Sequence, residues 1–369
     1  MMFFWFYNIS MFMVVIVLLL RVWRNCGISI FQFIFLCAIG CFSAVFLGLG
    51  HFNYASHGLA WYGSGFLIGS GVIFLTHHRN TTLHQIWKPI SLFVTAFLIL
   101  SFSVIALFVE PTRLEILRYE YRTNLVTKPV RVAFIADIQS DQFTDYERRT
   151  LMLLKEQNAD LIILGGDYVQ APTMEIEYRL IREFNALLKE VKLEAPLGVY
   201  AIKGNQEDSR WYDWALSFEG TNINVINHTR RLNLGEIRVV LLSMEHSFSK
   251  RRFAIYNPGA SRRLPQSKKQ FILMAGHSPR FALAEQKVHL ALAGHTHGGQ
   301  IQIPFWGALF NLTAGLPTRW SSGDHRLPNG SILIVSKGTG MERGRAPRVR
   351  FNCKPDFLVI DIVPESSNK

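Results

Sequence analysis

From Asn25 to His78 the chain contains no Asp, Glu, Lys or Arg. A stretch of that length without one formal charge does not make the solvated faces that the elements of a soluble domain require. It sits inside a longer pattern of four apolar runs, roughly Phe3–Leu20, Ile28–Leu49, Leu59–Thr76 and Ile90–Val109. Each approaches the roughly 20 residues that cross a hydrocarbon core of about 30 Å. No basic residue precedes the first run, and three more runs follow, so it reads as a span and not as a cleaved leader. The third run is the least apolar, because of its glycines and flanking histidines. Residues 1–110 are therefore expected to form a multi-pass α-helical membrane region of about four transmembrane helices.

The loop charges give the orientation. Arg21 and Arg24 fall between the first and second runs, Arg79 and Lys88 between the third and fourth. The N-terminus and the loop His51–Gly58 carry no Lys or Arg. The positive-inside rule then puts both chain ends outside, and the region after the fourth run is expected to be extracytoplasmic. Cys26, Cys37 and Cys41 lie in or beside the runs and Cys353 stands alone, which excludes a disulfide framework or a CxxC zinc site.

The rest of the chain is polar and basic. Taking the four basic residues and one acidic residue before Pro111 from the totals of 39 and 27 leaves 35 and 26, a net charge of about +9. Such a balance suits anionic lipid headgroups or phosphorylated substrates. No nucleic-acid module is recognisable, so nucleic acid is not the expected partner. Residues 111–130 read as a connector of mixed charge, and strand and helix signals alternate after it. Strands are predicted at Arg131–Ala136, Leu161–Leu164, Val199–Ile202, Asn224–Ile226, Arg238–Leu242, Phe271–Met274, Leu290–Ala293, Ser331–Val335 and Phe357–Ile362. Helices are predicted at Asp145–Asn158, capped by Thr144 or Asp145, and at Met174–Val191. This alternation implies packed sheets with helices outside.

Polar clusters recur where these strands end. They are Asp137-Ile-Gln139, Gly165-Gly-Asp167, Gly204-Asn205-Gln206-Glu207, Gly276-His277 and Gly294-His295-Thr-His297-Gly-Gly. Short loops at strand ends are where α/β folds place ligands. Two carboxylates, an asparagine and three histidines suit a pair of divalent ions about 3.5–4 Å apart. Any one cluster has a bland reading as a turn or a core histidine. The two imidazoles at i and i+2 on a glycine loop favour metal most strongly.

In this order the clusters resemble the calcineurin-like metallophosphoesterases, whose pattern runs D-x-H, GD, GN-H-D/E, H, GHxH. The last loop, Gly294–Gln300, is similar to the GHTHGGQ loop of the bacterial membrane-associated branch. The resemblance covers about residues 131–369 and implies a four-layer αββα sandwich. It also implies a cytoplasmic (inner) membrane location, two divalent metals and hydrolysis by a hydroxide that the metals share. By position, Asp137 and His297 would hold the first metal, Asp167 would bridge, and Asn205, His277 and His295 would hold the second. Asn205 and Gln206 would line the reacting phosphate.

Two residues depart from the family pattern. Gln139 replaces a first-metal histidine. As a neutral amide donor it favours manganese or magnesium over zinc and iron, with manganese preferred. Gln206 replaces the histidine that protonates the leaving oxygen. An amide cannot do this, and the lost general-acid help is worth about 10²–10⁴-fold for a poor leaving group. A phosphate leaving group needs little such help. The substrate is therefore expected to be a phosphodiester or pyrophosphate bond in a lipid or lipid-linked molecule. The UDP-diacylglucosamine pyrophosphatases resemble this chain in that departure, although their substrate is cytosolic. The alternative is a catalytically degenerate scaffold or sensor.

Two basic runs, Ser249–Lys269 and Arg343–Arg350, read as solvated surface or as membrane-facing patches. Phe253, Ile255, Tyr256 and Phe271 accompany the first run and are candidates to dip toward acyl chains. Phe305 and Trp306 follow the last metal loop as lid or core residues.

Overall fold

A computed structural model of the chain describes residues 2–25, 58–77, 86–208, 213–250, 270–285, 287–308, 315–342 and 348–365, with a few isolated positions between them. The chain divides into two compact units. One is Met1–Val109 with Glu342–Val349, the other Glu110–Met341 with Arg350–Lys369.

In the first unit, α1 is Met2–Asn25, α2 is Ser64–His77 and α3 is Trp87–Val104, which continues as a π-helical segment over Ile105–Val109. Tyr7, Met11, Val15, Leu18 and Val22, spaced three or four apart, form one stripe of α1 and cluster with Phe66 of α2. Tyr62 donates its hydroxyl to Asn8 Oδ1 at 2.6 Å. The outer faces are also apolar: Phe12 and Val17 on α1, and Phe97, Leu98 and Phe108 on α3 and its extension, are all exposed. Tyr7–Arg24 and Trp87–Thr112 are long and apolar enough to cross a membrane, while Ala60–Thr76 is apolar but shorter. Among the described residues there are thus two such helices and not the four expected. The run Ile28–Leu49 lies almost wholly outside the described residues.

The second unit contains two six-stranded sheets. The first has the order β1 (Glu115–Thr123), β14 (Asp356–Pro364), β2 (Val130–Ile135), β3 (Leu161–Leu164), β4 (Val199–Ile202), β5 (Ile223–Ile226). The second has the order β12 (Gly323–Arg326), β13 (Ile332–Val335), β9 (Leu290–Ala293), β8 (Phe271–Ala275), β7 (Ile237–Leu241), β6 (Arg230–Leu234). A small hairpin, β10 (Gln302–Ile303) and β11 (Gly307–Ala308), stands apart from both.

Alternation along the strands divides the core. Val132 and Phe134 of β2 face inward with Leu161, Ile163 and Ile202, against Val239, Leu241, Leu273, Leu290 and Leu292 of the other sheet. Ala133, Ile135, Ile162 and Leu164 face outward and pack with α4 (Asp145–Lys155) and α5 (Met174–Val191) through Leu151, Leu154, Leu180 and Phe184. Thr144 caps α4 in a reciprocal capping box with Glu147. The outer face of the second sheet is covered more thinly. Val240, Met274, Ala291 and Leu333 pack with Phe281 and Trp320, which come from 3-10 segments at Pro279–Ala284 and Thr318–Ser321. Among the described residues, the layer expected to be helical consists there of these 3-10 segments and a short helix at Met244–Phe248.

Three sequence expectations are corrected. The connector 111–130 contains β1, paired in parallel with β14 along its whole length. Phe271 does not reach toward lipid: it opens β8 and is fully buried between the sheets. Arg350, at the end of the second basic run, is fully buried and not a surface cation. Arg343–Pro347 and Arg251–Lys269, with Phe253, Ile255 and Tyr256, lie outside the described residues.

Register sets the location of the site. Ile135 aligns with Leu164, and Leu164 with Ala201, so β2, β3 and β4 end side by side. Ala275 aligns with Leu292, and Ala293 with Val335, so β8, β9 and β13 do the same. The loops after six strands thereby open at one end of the sandwich.

Candidate metal centre

Asp137 and Gln139 follow β2, Asp167 follows β3, Asn205 and Gln206 follow β4, His277 follows β8, and His295 and His297 follow β9. Backbone bonds lace these loops together. Asp137 N–H donates to Gly166 O at 2.9 Å and Gln139 N–H to Asp167 O at 2.8 Å. His295 N–H donates to Asp137 Oδ2, and Gln206 N–H to Asp167 Oδ1, both at 2.7 Å. Gln206 thus contributes its main chain to the site whatever its side chain does.

Two triads result. Asp137, Asp167 and His297 form one, and Asp167, His277 and His295 the other; within each, the donor atoms lie within 4.8 Å of one another. Asp167 belongs to both. Asn205 joins the second triad, its Oδ1 lying 3.2 Å from His277 Nε2. Gln139 is fully buried beside the first.

The donor atoms fit a cation. His277 Nδ1 donates to Gly165 O at 2.8 Å, which directs the lone pair of a neutral ring at Nε2 toward Asp167 Oδ2 at 3.3 Å and Asn205 Oδ1 at 3.2 Å. Three acceptors aimed at one another repel unless a proton or a cation lies between them. Asp137 Oδ1 is buried and receives no hydrogen bond. The same holds for Gln139 Oε1 and His297 Nδ1, whose residues are engaged through other contacts.

The backbone is strained where these groups converge. Asp137, Gln139, Asp167, His295 and His297 have φ of 53°, 38°, 57°, 70° and 49°, in the left-handed region that L side chains seldom enter. Such residues cost about 1–3 kcal/mol each and persist where surrounding bonds over-determine them. Gly294 and Gly338 permit the close approach to Asp137. A Cβ on Gly294 would lie 2.6 Å from Asp137 Oδ2, and one on Gly338 would lie 2.5 Å from Asp137 Cβ.

The supporting residues were not legible in the sequence. Glu207 is buried and accepts the N–H groups of Asp167, Tyr168 and Gly204 at 2.8, 2.7 and 2.8 Å, clamping two metal loops together. The one available signal was an acid within a Gly-Asn loop. Arg350 donates to the carbonyls of Lys337, Gly338, Gly340 and Cys353. The loop that it gathers holds Asp137 in turn, since Gly340 N–H donates to Asp137 O at 2.6 Å. Cys353 is buried, with its Sγ 3.4 Å from His297 O, and its N–H donates to Glu110 Oε1 at 2.5 Å. Phe248 forms an apolar wall, its ring edge-on to His295 with centroids 4.8 Å apart. Replacing Glu207 with Gln leaves one acceptor oxygen for three amides. It is expected to weaken metal binding about 10–100-fold, as second-shell losses do, and a metal titration measures this.

Protons occupy the site without cations. Burial pushes Asp137 and Glu207 up to about 7. Burial pulls His277 down, but the charge of Asp167 outweighs it and raises the ring to about 10. All three values lie above those of the unfolded chain. Their stabilising contributions are therefore complete at acid pH and fade as pH rises through about 7 for the carboxyls and about 10 for the imidazole. Cations must displace these protons. The gain in thermal stability on adding MnCl2 should consequently grow from pH 6 to pH 8, and a gain independent of pH would contradict this proton bookkeeping.

The sequence is similar to those of known phosphoesterases. Residues 130–299 match the calcineurin-like phosphoesterase family model. A metallophosphoesterase of Bacillus subtilis, YkuE, is 27% identical over 270 residues, 70% of this chain and 88% of its own. The Escherichia coli phosphodiesterase YaeI is 24% identical over 273 residues, 69% and 90% of the two chains. Among solved structures, a dimetal phosphatase from Danio rerio aligns with a TM-score of 0.34 at 12% identity, covering 57% of this chain and 88% of that one. Residues 130–299 are thus similar to the calcineurin-like phosphoesterases, and these likenesses support a phosphoesterase hydrolase.

Proposed function

We propose that this chain is a membrane-anchored two-metal phosphoesterase that cleaves a phosphodiester or pyrophosphate bond in a lipid or lipid-linked substrate. The observation that carries the metal assignment is the convergence of two triads on Asp167, with Asp137 Oδ1 buried and unbonded beside it. Asp137, His297 and the amide oxygen of Gln139 would hold one cation. His277, His295 and Asn205 would hold the other, with Asp167 between them. Divalent cations, when bound, activate water and neutralise charge on phosphoryl oxygens.

The remaining work falls to the protein. Glu207 and Arg350 hold the loops in register. Gln206 can orient a phosphate by hydrogen bonding but has no proton to give, which suits a leaving group that departs as a stable anion. The neutral oxygen of Gln139 favours manganese or magnesium.

Support for the membrane part comes from Tyr7–Arg24 and Trp87–Thr112, whose apolar side chains point outward. The net charge of about +9 after Pro111 suits anionic headgroups. The loop charges favour an extracytoplasmic domain, so a C-terminal alkaline phosphatase fusion should be active. A silent fusion would place the domain in the cytoplasm.

The test of function uses the purified full chain with MnCl2. Manganese-dependent hydrolysis of bis-p-nitrophenyl phosphate is expected, and its complete absence would favour the scaffold suggested by the two glutamines. A vesicle-borne diacyl phosphodiester should exceed its deacylated headgroup in kcat/KM by roughly tenfold or more, because remote binding energy lowers the barrier. Equal values would overturn the lipid assignment.

A further inference from the structure

The loop that bears His295 and His297 continues directly into the β10–β11 hairpin. The base of that hairpin is tied to the metal loop. Gln302 Nε2 donates to Gly298 O at 3.0 Å, and Gln302 N–H to Phe351 O at 2.9 Å. Its tip, Ile303-Pro304-Phe305-Trp306, is closed by a bond from Trp306 N–H to Ile303 O at 3.0 Å. All four tip residues are exposed: Phe305 at 109% and Trp306 at 83%, so neither is a core residue. Phe305 adopts φ 66°, an unfavourable conformation for a bulky side chain. Four consecutive exposed apolar residues on a strained turn are not a feature that a solvated surface retains without use.

We propose that this tip is a membrane wedge, entering the boundary between headgroups and acyl chains and holding the metal loop at the lipid surface. The inference rests on the membrane-anchored reading above, but not on the substrate being a lipid. Three observations favour a bilayer over a protein partner. The tip is a narrow protrusion of two aromatic side chains, and Trp is the residue that settles at lipid interfaces. Between Gly294 and Gly323 the only formal charge is Arg319, so the segment that carries the tip brings no carboxylate of its own toward anionic headgroups. The same chain carries helices long and apolar enough to span a membrane.

The test uses the full chain reconstituted in vesicles of phosphatidylcholine and phosphatidylglycerol brominated on their acyl chains. The emission of Trp306 is taken as the difference between wild type and Trp306→Phe. Bromine should quench roughly half or more of that difference, as it does for an interfacial ring. Trp214 and Trp320 are buried in the second unit, so the helices are reported by Trp23 and Trp87 in α1 and α3. If bromine fails to quench them too, the membrane reading falls and the wedge with it. If they are quenched while the Trp306 difference responds only to aqueous iodide, the wedge alone is wrong. The double variant Phe305→Ser/Trp306→Ser should keep bis-p-nitrophenyl phosphate hydrolysis within about twofold while losing roughly tenfold on the vesicle-borne diester, an interfacial effect. Equal losses on both substrates would make the tip a structural part of the site and overturn the proposal.

Discussion

Replacing Asp167 with Asn should remove both cations together and lower manganese-dependent turnover by ~10³-fold or more, since the chemistry depends on both ions. No other carboxylate belongs to both triads. Its Oδ1 is occupied by Gln206 N–H, and its Oδ2 is the atom that faces His277 Nε2. Burial raises its pKa, but the His277 ring outweighs burial and holds the carboxylate ionised below its usual range. Asn removes that charge while keeping the volume, so the fold should survive. Elemental analysis and turnover on one preparation check the prediction. A folded variant that retains its metal and more than about a tenth of wild-type turnover would show that the shared carboxylate is not what assembles the site.

The second large effect concerns Arg350. It is fully buried and makes hydrogen bonds to four backbone carbonyls, in the loop beside Asp137 and in the turn at Cys353. Its charge favours ionised Asp137 and ionised Asp356. Arg350→Met leaves the Lys337, Gly340 and Cys353 carbonyls without that donor, whereas Gly338 O keeps Asp356 N–H and the two carboxylates keep His277 and Lys337 as counter-charges. Three buried carbonyls left unsatisfied amount to a loss of about 3–5 kcal/mol. For a domain of this size that lowers the melting temperature by roughly 10 °C. Arg350→Lys should recover only part of the loss, because a point ammonium cannot reproduce a planar fork of donors. A role confined to stability predicts unchanged manganese affinity in the surviving folded fraction. The contacts from Gly338 and Gly340 to Asp137 predict weaker affinity instead. A melting temperature within about 2 °C of wild type for Arg350→Met would remove Arg350 from the account.

These two residues show what a sequence discloses and what it hides. The place of Asp167 among the converging polar groups was legible because polar loops in such a sheet follow strand ends, and Leu161–Leu164 is apolar enough to mark its own end. α5 was legible from its periodicity, over the same limits that the structure gives it. Arg350 was not legible, since a buried arginine and a solvated one look the same within a run of basic residues. Edge strands were lost for a related reason. β1 and β12 carry alternating charges, and β6 opens on the adjacent pair Arg230-Arg231; charge of this kind lets edges resist further pairing and resembles a linker. Phe271 misled in the opposite direction: its neighbours Lys268 and Lys269 suggested a surface, whereas it is the first buried residue of a central strand. Phe305 and Trp306 were apolar and ambiguous until their exposure was known.

The most direct test of the account is a count of ions. Manganese-loaded wild-type chain, freed of loosely bound metal, should retain about two ions. His277→Ala should retain about one, and Asp167→Asn almost none. Wild-type protein that holds no ion, or a His277→Ala variant that holds as many as wild type, would contradict it.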